Sequence, residues 1–137
     1  MVRDLHDNIT LRTAIPPISI STNVATLSSI IDRQGYEALE FLILSGLITS
    51  GTAVFTVSIA HGESPTLADG AAVDPTQTLG TIAGSSFTFA NPSSQFRLGY
   101  VGGKRYVQLT ITTTNNAAAA LLAVVAVLGA PAKAPTP

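Results

Sequence analysis

The stretch with the most chemistry to offer runs from Gly99 to Tyr106, Gly-Tyr-Val-Gly-Gly-Lys-Arg-Tyr. Glycines beside adjacent cations and tyrosines are the ingredients of a phosphate cradle or a base-stacking platform. A Walker-type loop needs Gly, four residues, then Gly-Lys-Ser/Thr, so that amides wrap the phosphates and the hydroxyl reaches a metal. Here Gly103-Lys104 would require glycine at the position of Leu98, and Arg105 replaces the hydroxyl residue. The alternation that follows is that of a strand, whereas a Walker loop opens a helix. An RNA-binding sheet wants aromatics along the strand after the basic residues, and Val107 and Leu109 stand there instead. The residues therefore predict a hairpin turn, a tight connection between two strands. Gly102 and Gly103 supply positive φ, and the tyrosines cap the sheet with hydroxyls outward. Lys104 and Arg105 stay free to meet an acidic protein neighbour.

The other polar clusters are weaker. His61-Gly62-Glu63 with Asp69 and Asp74 resembles a site, but a metal centre needs three or four ligands on rigid elements. A turn-rich segment with a single histidine reads as a solvated loop. Glu37 and Glu40 are oddly spaced, which puts them on opposite faces of a strand rather than across one substrate. The serines lack a Gly-x-Ser-x-Gly elbow, and His6 lies in a polar N-terminal segment. With no cysteine there is no disulfide, thiolate zinc site or thiol nucleophile. No enzyme, cofactor or metal is expected.

The elements that must position these residues read as all-β. The 137 residues suit one domain. Only 11% are charged, against roughly 25% in ordinary globular chains, so part of the surface should be covered by other protein chains. A net charge of −1 argues against direct nucleic-acid binding. The N-terminus lacks the apolar core of a secretory signal. The longest apolar run, Ala117 to Ala132, falls short of the ~20 residues of a membrane-spanning helix and carries strand-forming valines.

Residues 1–17 predict an extended N-terminal arm, because Ile15-Pro16-Pro17 cannot sit inside a helix. Residues 18–129 predict the sandwich, and residues 130–137 a proline-rich tail. Both arms are expected to dock on adjacent chains. Within the sandwich, Ala38–Leu44 places Leu39, Phe41 and Ile43 on one face, with Glu40, Leu42 and Leu44 on the other. Ala53–Ala60 turns Ala53, Phe55, Val57 and Ile59 to the core. Further strands are expected at Ile18–Thr22, Thr78–Ile82, Ser86–Phe89, Gln95–Val101 and Lys104–Thr113, with turns at Ser45–Thr52 and Thr114–Asn116. Ala119–Leu128 is apolar on both faces and predicts a strand buried twice, at the centre of the sandwich or against a partner chain. Roughly seven or eight short strands without a long helix mean a β-sandwich or barrel.

The run Phe-Arg-Leu-Gly-Tyr-Val-Gly-Gly-Lys-Arg-Tyr-Val-Gln-Leu-Thr-Ile-Thr, followed by a polar turn and Leu-Leu-Ala-Val-Val-Ala-Val-Leu-Gly-Ala-Pro-Ala-Lys-Ala-Pro, resembles small structural proteins of tailed bacteriophages and prophages. The resemblance covers residues 38–135, is sharpest from Phe96 to Pro131, and is closest to the capsid cement (decoration) proteins; the N-terminal arm lies outside it. It implies a jelly-roll-like antiparallel β-sandwich on the outer face of an HK97-type shell. It also implies contact with the major capsid protein across subunit seams, self-association as a homodimer or homotrimer, and a virion location after synthesis in the bacterial cytoplasm. Exposure and the lack of a core role nominate Arg3, Asp4, His6, Arg12, His61, Glu63, Lys104, Arg105 and Lys133 as protein contacts. The alternatives are a tail or head–tail adaptor protein and, from another class, a carbohydrate-binding sandwich. The last would need exposed aromatics along a groove, and the chain has no Trp and three Tyr.

Overall fold

Two apolar stripes of period two, Leu39-Phe41-Ile43 and Ala53-Phe55-Val57-Ile59, each need a surface to cover them. In the computed structural model, which describes residues 3–133, they belong to opposed sheets and share one core. The strands in chain order are β1 (Ile9–Ile20), β2 (Ala25–Leu27), β3 (Ile31–Asp32), β4 (Tyr36–Ile48), β5 (Val54–Gly62), β6 (Ala71–Ala72), β7 (Thr78–Leu79), β8 (Phe87–Thr88), β9 (Gln95–Tyr100), β10 (Tyr106–Thr114) and β11 (Ala120–Pro131).

One sheet has the order β1-β11-β4-β9-β7; the other has β2-β10-β5-β6, with β3 also on β10 and β8 also on β5. All pairs are antiparallel. Leu27 lies opposite Thr110 and Ile31 opposite Val107, so β2 and β3 are one edge strand interrupted at residues 28–30. β6 and β8 share the other edge of β5 in the same way. Merging these pieces, and leaving β7 aside as an edge addition, the orders become first-eighth-third-sixth and second-seventh-fourth-fifth. That is the jelly roll, and the expected fold class holds.

The arm is shorter than its prolines suggest. β1 pairs with β11 from Ile9–Gly129 to Ile20–Ala120, so residues 9–17 belong to the sandwich. An edge strand leaves one side unpaired, and proline can sit there or at a bulge. The register shifts fall between Thr13 and Ile15 and between Ile15 and Ile18, around Pro16 and Pro17. Only a short segment with a 3-10 turn at His6–Asn8 precedes the strand among the described residues. At the other end β11 extends to Pro131, opposite Tyr36, and the Ala132 amide donates to the Gly35 carbonyl. The remainder of the expected tail, residues 134–137, lies outside the described residues.

Other expectations are corrected locally. β4 runs through the expected turn to Ile48, and the Thr78–Ile82 strand stops at Leu79. A helical turn, α1 (Ile82–Ser85), replaces the rest, because the Thr81 hydroxyl accepts the Gly84 amide at 2.8 Å as an N-cap. β11 is central but buried on one face only. Ala120, Leu122, Val124, Ala126 and Leu128 point into the core, whereas Leu121 on the other face is 45% exposed.

Candidate interaction surface

Long charge-free runs separate the charged residues of this chain: residues 13–31, 41–60, 75–96 and 106–132 carry none. The jelly roll turns this spacing into geometry. Most of these runs pass to one end of the sandwich and return. That far end is made of Ser21–Asn23, Thr49–Thr52, Asn91–Ser94 and Thr114–Asn116, all uncharged. Arg3, Asp4 and His6 before β1 sit at the near end. So do Asp32 and Arg33 between β3 and β4, Glu63 and Asp69 after β5, Lys104 and Arg105 between β9 and β10, and Lys133 after β11. The sandwich is therefore polar along its length, charged at one end and neutral at the other.

The Gly99–Tyr106 stretch is the crossing between the two sheets at the charged end, so it is not a hairpin. Arg105 grips Asp32 with two bonds of 2.8 Å and donates to the Gln34 side chain at 2.6 Å. Arg33 spans the crossing from below. Its guanidinium donates to the carbonyls of Lys104 (2.7 Å) and Gly102 (3.1 Å), reaches those of Tyr36 and Glu37, and lies 5.2 Å from the Tyr100 ring centroid.

Tyr100 departs from expectation: it is 1% exposed and its hydroxyl points inward. The hydroxyl accepts the Lys104 amide at 3.0 Å and lies 2.7 Å from His61 Nδ1, to which it donates in the tautomer that carries the proton on Nε2. The glycines serve a different purpose from the one expected. Positive φ occurs at Gly35 and Gly80, while Gly102 is required because the Tyr100 ring occupies the place of a β-carbon.

His61 is the clearest correction among the nominated contacts. It is 9% exposed and sits in β5, not on a solvated loop. The signal was in the sequence: the core alternation 53-55-57-59 reaches 61 one step later. Arg105 is partly exposed but already neutralised by Asp32. Arg3, Asp4, His6, Arg12, Glu63, Lys104 and Lys133 are exposed, and all but Arg12 lie in the segments flanking the strands at the charged end. Arg12 is on β1, beside a recess it shares with Ser29, Asp32, Gln34 and Tyr36. Asp4 also has a local role, accepting the Asp7 amide at 3.0 Å. Asp32 and Arg33, which tie the charged end together, were not nominated; their bonds are to residues about seventy positions away. Among the described residues no group of His, Asp and Glu could hold a metal ion, and no helix is long and apolar enough to cross a membrane.

Burial holds His61 below its ordinary value of 6.5, the Lys104 cation pushes the same way, and Asp69 opposes them. The unfolded chain therefore binds a proton that the folded chain refuses. Stability is full above pH 6.5 and declines as pH falls from there to the depressed folded value. Thermal melts at successive pH values should show this decline in the wild type and its attenuation in His61→Gln. An equal slope in both proteins would reject the assignment. A separate loss follows at lower pH. Arg105 holds Asp32 below 3.8, and the amides of Glu63 and Ser64, at 2.9 and 3.0 Å, do the same for Asp69.

No protein-family model matches the chain, and no curated protein does. Solved structures do match. The SPBc2 prophage-derived protein YomS superposes with a TM-score of 0.50 at 10% identity, over 88% of this chain and 93% of that one. A chain of the cyanophage Pam1 capsid asymmetric unit gives 0.50 at 15% identity, over 96% and 92%. The Clostridium thermocellum xylanase 10B CBM22-1-GH10 structure gives 0.48 at 10% identity over 93% of this chain, which spans only 27% of the xylanase chain. At such identities the likeness to the two structures at 0.50 is one of architecture alone, and with the strand order it makes this chain an all-β, jelly-roll-like sandwich.

Proposed function

We propose that this chain is a structural virion protein of a tailed phage or prophage. Its role in this reading is that of a capsid cement protein, bound on the outer shell across major capsid protein subunits. The observation that carries the reading is the gathering of charge at one end of a charge-poor jelly roll. The exposed groups there, Arg3, Asp4, His6, Glu63, Lys104 and Lys133, mix both signs. A mixed array fixes orientation on a protein surface, whereas a nucleic-acid face would be uniformly basic. Two structures of similar size and fold, from the Pam1 capsid and the SPBc2 prophage, support the same reading. The described residues lack the platform a carbohydrate-binding sandwich needs, since Phe89 stands alone as a strongly exposed aromatic.

A protein that binds the assembled shell and not its free subunits shifts the equilibrium away from disassembly. Particles lacking this protein should assemble and then release DNA at a lower temperature than wild type. Deletion particles as heat-resistant as wild type would sink the cement role. Copy number separates the rival roles, since cement approaches the abundance of the major capsid protein and an adaptor does not.

A further inference from the structure

The outer face of the five-stranded sheet is apolar and uncovered. Leu42, Leu44 and Leu121 are 38%, 46% and 45% exposed, and Leu11 and Leu79 are each 58% exposed. Register places Leu11 beside Val127, Val125 beside Leu42, and Ala123 beside Leu44, all on that face. Among the described residues of these strands, only Glu40 on β4 and Arg97 on β9 bring charge to it. They are diagonal neighbours, because Glu40 lies opposite Gly99 and Leu42 opposite Arg97. Neither side chain makes a hydrogen bond or a close ion pair with another described residue, although the Arg97 cation acts on Glu40 through space and Glu40 is only partly exposed.

We propose that this face is where two copies of the chain meet, about a two-fold axis lying in the interface between Glu40 and Arg97. Such an axis sets Glu40 of each copy over Arg97 of the other, so one acid and one base become two reciprocal ion pairs. An isologous interface requires this self-complementarity; an unrelated partner would have to supply a matching acid and base at the same diagonal. With the strand spacing and rise of a regular sheet, the same axis passes beside Leu42 and brings it against its own symmetry mate. Leu44 is carried towards Val125, Val127 and Leu11 of the other copy. The strands of the two sheets then cross steeply, in the orthogonal class of sheet packing. The apolar second face of β11 becomes the buried surround of the charge pairs. None of this depends on the capsid reading.

The test is sedimentation velocity of the full chain over about 1 to 100 μM. Wild type should dimerise, and Arg97→Glu and Glu40→Arg should each weaken the dimer by about tenfold or more through like-charge contact. The double swap, Glu40→Arg with Arg97→Glu, should restore it. Leu42→Asp should abolish it, and thermal melts check that every variant folds. A wild type that stays monomeric, single reversals that leave the dimer unchanged, or a folded swap that stays monomeric would each overturn the proposal. A monomeric wild type whose Leu42→Asp variant no longer binds particles would assign the face to the capsid protein instead. Heat release from deletion particles reads the cement role independently of all these outcomes.

Discussion

Phe55→Ala should lower stability by about 3–5 kcal/mol and the melting temperature by roughly 10–20 °C. Phe55 is fully buried on β5. Its ring stacks on Phe87 at 4.7 Å between centroids, and Phe87 stacks on Phe96 at 5.3 Å. Phe87 is on β8 and Phe96 on β9, so the stack runs from one sheet to the other. Truncation forfeits the transfer energy of the ring and leaves a cavity that two opposed sheets cannot collapse to fill. Domains of this kind have only about 5–15 kcal/mol in total, so the variant should be marginal at growth temperature. Phe89→Ala is the control. Phe89 is 44% exposed, and its loss should stay within roughly 0.5 kcal/mol. Urea denaturation of the two variants checks the pair; similar midpoints would mean that the stack is not the keystone of the core.

The second large effect is expected at Tyr100, where two variants divide packing from hydrogen bonding. Tyr100→Ala removes a buried ring from beneath Arg33 and should cost about 3–5 kcal/mol. Tyr100→Phe keeps the ring and removes the oxygen that receives the Lys104 amide and meets His61 Nδ1. Stranding those groups should cost about 1–3 kcal/mol. Hydrogen exchange at the Lys104 amide should quicken in Tyr100→Phe. A Phe variant as stable as wild type, with that amide still protected, would show that the crossing is held by Arg33 alone.

Much of the core could be read directly. Period-two alternation is local, and Leu39, Phe41, Ile43, Phe55, Val57, Ile59, Val107, Leu109 and Ile111 are all buried as their spacing requires. The misreadings share a cause. Ile15-Pro16-Pro17 looked like the end of an arm because proline donates no hydrogen bond, yet an edge strand needs donors on one side only. The tyrosine of Gly-Tyr-Val-Gly-Gly looked like a surface cap because nothing nearby in sequence could bond its hydroxyl. Its partner His61 is 39 positions away.

The candidate surfaces divide in the same way. Leu42, Leu44 and the valines of β11 announce a second apolar face, but no local pattern says that this face stays open while the other closes. By itself the sequence determined an all-β, charge-poor chain with strands of known inner face and long neutral runs between its charges. Only the tertiary structure decided which strands pair. That pairing collected the charges at one end, buried His61 against Tyr100, and placed Glu40 diagonal to Arg97 on an uncovered sheet. The reason is topological: antiparallel strands of similar length return to the same end, so residues scattered along the chain meet only once the two sheets have wound together.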